Sequence, residues 1–197
     1  TEHLHPDWQL AREYELSPDL LAMSHLWQVP ASARSEVAAK GAPEAIADLC
    51  HLPPDERERL AARAAELADD GLRVLAVARA QHPGTDWPAL QHDFEFRFIG
   101  LIGLADPLRE NVPAAVARCR AAGVRVVMIT GDHPRTARAI AAQAGIDGSR
   151  VLTGPELAVL DAAALANEVT RYTVYARVSP QQKLAIVDAL KARGDIV

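Results

Sequence analysis

The chain has 197 residues, with 21 basic against 26 acidic side chains and a formal net charge of -5. Hydrophobic residues make up 49% and charged residues 24%, the balance of a globular chain rather than a disordered one, and the acidic surplus argues against generic binding along a nucleic-acid backbone. Two cysteines, Cys50 and Cys119, cannot build a disulfide framework or a four-ligand zinc site by themselves, and no apolar run nears the roughly 18 residues of a membrane helix.

The first residues are polar and include His3 and His5, which read as solvated and as no signal peptide. The chain opens without methionine and closes on the apolar pair Ile196-Val197, so it reads as a soluble piece of a longer protein. Trp8, Leu10, Tyr14 and Leu16 recur on even positions and predict a strand, with Ser17-Pro18-Asp19 as a turn. Residues 20–27 and 35–39 are two further extended runs. From Ala42 the spacing turns helical, with Ile46, Leu49 and Cys50 at i, i+3 and i+4. After Pro53-Pro54-Asp55 a second helix carries Leu60, Ala64 and Leu67 on one face and stops at Gly71. Residues 72–78 have strand length, 81–90 read as a loop, and Phe94, Phe96 and Phe98 alternate into 99–104.

A change of style at Asp106 sets the expected boundary, with domains over 1–105 and 106–197. Pro113 opens a helix with Val112, Val116 and Cys119 on one side and Gly123 as its stop. Residues 124–129 are a nearly continuous apolar run, the pattern of a strand covered on both faces. Thr130-Gly131-Asp132 follows, then a helix over about 134–144, strands at 151–152 and 173–178, and a helix over 181–192. Strand, polar turn, helix, strand is the grammar of a parallel α/β layer.

Four short patterns could carry chemistry, and each has a plain structural alternative. A strand ending in Thr130-Gly131-Asp132 suits a phosphoryl group, because ligands sit beyond the carboxyl ends of parallel strands; equally, Gly131 makes the turn and Asp132 caps the helix. Lys183 falls in the first turn of the helix after Ala176-Arg177-Val178-Ser179-Pro180, where the helix dipole mildly disfavours a cation unless an anion is held there too. Lys40 ends a strand, and Gly41 beside it would let a ligand approach the backbone closely; a plain strand-to-helix turn has the same spacing. Asp106-Pro107-Leu108-Arg109 is a rigid proline between opposite charges, a hinge clamp or a solvated turn. His82, His92 and His133 have no cysteine or carboxylate partners at metal-ligand spacing, and no metal site is expected.

Taken in order, Lys40-Gly41-Ala42-Pro43-Glu44, Gly71-Leu72-Arg73-Val74-Leu75-Ala76, Asp106-Pro107-Leu108-Arg109, Met128-Ile129-Thr130-Gly131-Asp132 and Ala176-Arg177-Val178-Ser179-Pro180 with Lys183 resemble the cytoplasmic part of a P-type cation-transporting ATPase, of the calcium-pump-like branch. The resemblance covers essentially the whole chain. It implies an α/β nucleotide-binding domain followed by part of a haloacid dehalogenase-like, Rossmannoid phosphorylation domain. In such pumps ATP phosphorylates an aspartate, with Mg2+ as cofactor. By the resemblance, Lys40 and Gly41 would line the nucleotide pocket and Arg73 would reach the ATP phosphates. Thr130, Gly131 and Asp132 would hold the transferred phosphoryl group, Arg177 would contact nucleotide, and Lys183 would neutralise charge at the aspartyl phosphate. Asp106 and Arg109 match the hinge. Thr130, Asp132 and Lys183 are thus the candidate catalytic residues.

The sequence also departs from the family pattern. It has neither the Asp-Lys-Thr-Gly-Thr string of the phosphorylated aspartate nor the Gly-Asp-Gly-x-Asn-Asp string that binds Mg2+, so the Mg2+ ligands are expected outside it. Where the family offers an aromatic, an arginine and a lysine to ATP, alignment on Met23-Ser24 places Leu16, Pro18 and Leu21, with Tyr14 as the alternative aromatic. The expected partners are ATP, the actuator and membrane domains of the same polypeptide on its cytoplasmic side, and no nucleic acid. A sheet lacking its central strands is expected to leave an edge exposed or covered by another copy. The chain alone should not turn over ATP. The rival readings are a soluble haloacid dehalogenase-like phosphatase with a large cap and a non-catalytic nucleotide-binding module derived from a pump.

Overall fold

The computed structural model describes residues 5, 7–17, 19–30 and 32–197; His3 and Pro18 lie outside them. The chain divides into two compact units, one built from Thr1–Ala65 and Val74–Leu104, the other from Glu66–Arg73 and Ala105–Val197. The sequence reading ran one unbroken domain to residue 105, whereas the segment Glu66–Arg73 sides with the second unit. Specific bonds hold it there. Thr136 Oγ1 donates to the Leu72 carbonyl at 2.8 Å, and Arg135 pairs with Asp69 at 2.7 Å.

The first unit is a five-stranded sheet in sequential order, with β1 at Gln9–Tyr14, β2 at Ala22–Gln28, β3 at Arg34–Gly41, β4 at Arg73–Pro83 and β5 at Arg97–Leu104. The β1–β2, β2–β3 and β3–β4 pairs are antiparallel. Because side chains alternate across a strand, register decides what is buried. Ala22, Gly41 and Ala76 form one cross-strand row; Ser24, Ala39 and Ala78 form the next; Leu26, Val37 and Ala80 form the third. All nine lie on the buried face. Helix α1 (Pro43–Leu49) belongs to the same core, where its Ile46 and Leu49 join Phe94 and Phe96. The second predicted helix is α2 (Pro54–Asp69). Strand β4 runs to Pro83, beyond the loop expected from residue 81, because Ser35 and Arg34 continue the ladder to His82 and Pro83.

In the second unit, β6 (Met128–Ile129), β7 (Val151–Thr153) and β8 (Val174–Ala176) form a parallel sheet in the order β6-β8-β7. The central strand β8 is fully buried and serves two layers. Val174 and Ala176 face Ala137 and Ala141 of α4 (Pro134–Ala144), whereas Tyr175 faces Leu165 of α6 (Ala162–Glu168) and Ile186 and Leu190 of α7 (Pro180–Ala192). Tyr175 donates its hydroxyl to the Val169 carbonyl at 2.9 Å, so its burial leaves no polar group unmet. The unit also contains α3 (Val112–Ala121) and the short α5 (Gly154–Ala158); neither α5 nor α6 was anticipated from sequence.

The strand expected over 124–129 shortens to Met128–Ile129, and Val124 is 56% exposed. Among the described residues β6 pairs only with β8, so it is an edge, and its two residues are half-buried rather than covered.

Candidate functional site

In a parallel sheet the carboxyl ends of all strands share one edge, where ligands bind. Here that edge gathers the segments after β6, β8 and β7. Thr130 N donates to the Tyr175 carbonyl at 2.9 Å, Val178 N to the Thr130 carbonyl at 3.1 Å, and Arg177 N to the Asp132 carbonyl at 3.0 Å. Backbone bonds therefore continue beyond the strands and lock the Thr130-Gly131-Asp132 turn to 177–178.

Asp132 is the hub of this edge. Its amide donates to Thr130 Oγ1 at 3.1 Å, and Thr130 Oγ1 donates in turn to Asp132 Oδ2 at 2.8 Å. Oδ1 accepts from Arg73 Nε at 2.7 Å and Nη2 at 2.6 Å. The carboxylate is 15% exposed and the guanidinium side chain 61%. A fork with five donors that spends two of them on a fixed carboxylate is oriented, with donors left open to solvent. This corrects the plain reading of Asp132 as a helix cap. The cap of α4 is His133, whose ring accepts from Arg135 N at 3.3 Å, and Asp132 turns to Arg73 instead.

Lys183 lies in the first turn of α7, exposed, with no side-chain ion pair or hydrogen bond among the described residues. The helix start is already satisfied without it: Ser179 and Gln182 form a reciprocal capping box. A lone cation at a helix N-terminus runs against the dipole, which suits a site made for an anion. Arg177 is half-buried and takes a left-handed backbone, φ 52. The structure thus brings Arg73, Thr130, Gly131, Asp132, Arg177 and Lys183 to one edge of one unit.

Lys40 and Gly41 belong to the first unit. Lys40 is exposed on the outer face of β3 between Met23 and Val77. Gly41 is buried, and its missing side chain answers a packing demand. A Cβ there would lie 2.4 Å from the Leu21 carbonyl oxygen and 2.6 Å from Ala22 Cα. It opens no space for a ligand. Tyr14 is likewise no open stacking platform: it is 7% exposed, donates to the Pro88 carbonyl at 2.7 Å and meets Phe94 edge-on. Leu16 and Leu21 are exposed. Asp106 and Arg109 are exposed and not paired with each other, so the charges flanking Pro107 form no clamp. Burial pushes the Cys50 thiol up to about 11, which keeps it protonated and unreactive at neutral pH.

Among the described residues no three histidine, cysteine, aspartate or glutamate side chains gather at metal-binding range, and Asp132 is committed to Arg73 and Thr130. Two residues of the edge, Gly154 and Gln182, escaped the sequence reading, although Ser179-x-x-Gln182 is a legible capping pattern.

A family model of haloacid dehalogenase-like hydrolases matches residues 8–197. The chain belongs to that family. The parallel layer of the second unit fits such an α/β hydrolase. Among curated proteins, this haloacid dehalogenase-like chain is 45% identical over 170 residues to a probable cation-transporting ATPase I of Mycobacterium tuberculosis, covering 80% of the chain and 10% of that relative. It is 41% identical over 182 residues to a probable cation-transporting ATPase F of Mycobacterium bovis, covering 82% of the chain and 20% of the relative. A calcium-transporting ATPase 1 of Bacillus cereus is 38% identical over 144 residues, 72% of the chain and 16% of its own length. The chain therefore spans a tenth to a fifth of the length of these relatives. The expected resemblance to cation-transporting ATPases agrees with the names of these relatives. Among the described residues no helix is long and apolar enough to cross a membrane.

Proposed function

We propose that this chain is the nucleotide-handling part of a P-type cation-transporting ATPase, which binds ATP and holds the phosphoryl group that the whole pump transfers to an aspartate. The observation that carries the reading is the Arg73–Asp132–Thr130 arrangement at the carboxyl edge of a parallel sheet. Phosphoryl transfer needs oriented donors and cations around developing oxygen charge more than it needs proton transfer. Arg73, held by Asp132, supplies directed N–H groups to the phosphates; Thr130 and Gly131 supply a hydroxyl and an amide to the transferred group. Lys183 neutralises charge beside it, Arg177 contacts nucleotide, and Lys40 lines the nucleotide pocket. In this reading residues 1–105 are the nucleotide domain, 106–197 part of the phosphorylation domain, and Asp106 and Arg109 their hinge, all on the cytoplasmic side of the membrane.

ATP is the ligand; Mg2+ would add charge neutralisation, but its ligands are not among the residues here, and no step is assigned to it. The nucleophilic aspartate is also absent from the sequence. Among the described residues β6 pairs only with β8, which supports a strand carrying it on the other side. By itself the chain binds ATP without turning it over.

Calorimetric titration of ATP into this chain and its Lys40→Ala variant tests the reading. Sub-millimolar to millimolar binding, about -4 to -6 kcal/mol, is expected without phosphate release, and the variant should lose about 1.5–3 kcal/mol as for a hydrogen bond to a charged group. No heat of binding from a chain that still unfolds cooperatively would sink it.

A further inference from the structure

Arg177 sits where a glycine would be at ease. Its φ of 52 is left-handed, a conformation that side chains disfavour and that persists only where the surroundings impose it. What it achieves follows from β8. Alternation sends Val174 and Ala176 to α4 and Tyr175 to the apolar layer of Leu152, Leu157 and Ile186. An extended residue 177 would follow Tyr175 and press its guanidinium toward that apolar layer, at the cost of an unmet charge. The left-handed turn breaks the alternation just at the carboxyl edge.

Two residues outside the strand impose it. Gly154 lies under the turn: a Cβ there would be 2.0 Å from the Arg177 carbonyl oxygen and 3.0 Å from its carbonyl carbon. Gln182 bridges the two helix starts, donating from Nε2 to the Gly154 carbonyl at 2.6 Å and accepting from Ser179 N at 3.0 Å. On the opposite side Arg177 N is held by the Asp132 carbonyl at 3.0 Å. The left-handed residue is therefore fixed from the segments after β6 and β7 and from the start of α7.

We propose that Gly154 and Gln182 are positioning residues, which hold Arg177 left-handed so that its guanidinium serves the phosphate-bearing ligand at the carboxyl edge. The proposal rests on the nucleotide reading above. Its distinguishing feature is that the amide of Gln182 acts through Gly154, not through the helix cap. A glutamate keeps the capping box, since either residue accepts from the cap backbone, but it cannot donate to the Gly154 carbonyl.

The test combines Gln182→Glu, Gln182→Met, Arg177→Ala and Arg177→Gly, with ATP as the probe, read by calorimetry and by thermal unfolding. Arg177→Ala should weaken ATP about tenfold, as for loss of a charged hydrogen bond. Both Gln182 variants should weaken it about threefold in the native background and have no further effect beside Arg177→Ala, the sign of residues that act as one unit. Arg177→Gly should raise the unfolding midpoint, and by less once Gln182 is replaced, because the strain it relieves is then already slack. A Gln182→Glu chain that behaves as the unsubstituted one would make Gln182 a cap only and overturn the proposal. Equal losses in both Arg177 backgrounds, or equal gains from Arg177→Gly, would overturn it as well. An Arg177→Ala variant with unchanged affinity would remove Arg177 from the nucleotide site while leaving the rest of that reading standing. If the unsubstituted chain binds no ATP, the nucleotide reading falls, and positioning for a phosphate ligand falls with it.

Discussion

Replacing Gly41 by alanine separates a ligand role from a packing role. The added Cβ would meet Leu21 O at 2.4 Å, Ala22 Cα at 2.6 Å and Ala22 Cβ at 2.8 Å. Two of these three atoms are backbone, and the Leu21 carbonyl is already bonded to Ala42 N at 2.9 Å, so neither a rotamer change nor a small tilt relieves the clash. Strands β2 and β3 must part at the end of the ladder, where Ala22 pairs with Gly41. Overpacking costs typically 1–3 kcal/mol when side chains can yield; with backbone as the obstacle we expect the upper end, about 3 kcal/mol. For a unit of roughly 100 residues that lowers the midpoint by about 12–20 °C. Lys40→Ala, one residue away and exposed, should stay within about 0.5 kcal/mol. Differential scanning calorimetry of the two variants beside the native chain is the assay. A Gly41→Ala chain that melts within about 2 °C of the native one but has lost ATP binding would refute the packing argument and restore a ligand cradle.

Asp132→Asn should destabilise the second unit by about 1–2 kcal/mol: the Thr130 and Arg73 bonds lose their charge assistance, and the value is held down by the 61% exposure of Arg73. The loss should shrink between 50 mM and 1 M salt in thermal melts, because part of it is screened charge; an equal loss at both would show that the pair is not electrostatic. Asp48 accepts from His92 at 3.0 Å and from Arg57 at 3.2 Å, which hold its carboxyl below its ordinary value of 3.8. A carboxyl depressed in the folded chain contributes stability that is present above the ordinary value and lost as pH falls through the folded one. Asp48→Asn should therefore cost less than about 1 kcal/mol near neutrality and nothing once urea titrations are run well below that range. A difference that persists there would refute the assignment.

How much of this was legible in the sequence depends on whether the decisive term was local. Alternation over 8–16 and 35–39 and the helix from Ala42 are local patterns, and β1, β3 and α1 follow them. The run at 124–129 has the composition of a covered strand, but coverage is a property of neighbours; with β8 on one side only, two residues pair and Val124 stays exposed. Tyr14 and Gly41 show the same limit. An aromatic near a nucleotide motif and a glycine beside a lysine suggest a ligand, whereas Pro88, Phe94, Leu21 and Ala22, which decide their roles, come from other strands and loops. At the site, Thr130-Gly131-Asp132 and Lys183 were legible because a strand end and a helix start declare themselves in order. That Asp132 would spend its carboxylate on Arg73, 59 residues away, was not.

The charge at that edge bears on which ligand it suits. The chain as a whole carries -5, yet Arg73, Arg177 and Lys183 all lie at this edge, where the Asp132 carboxylate is shared between Arg73 and Thr130. The loops there are fastened by backbone bonds, Thr130 to Tyr175 and Val178, Asp132 to Arg177, so the side-chain cations are not what holds the turn closed. Three cations at one strand edge, one of them oriented by Asp132, concentrate positive potential where a bound polyphosphate would discharge it. That local charge favours an anionic ligand with several oxygens over a neutral or cationic one.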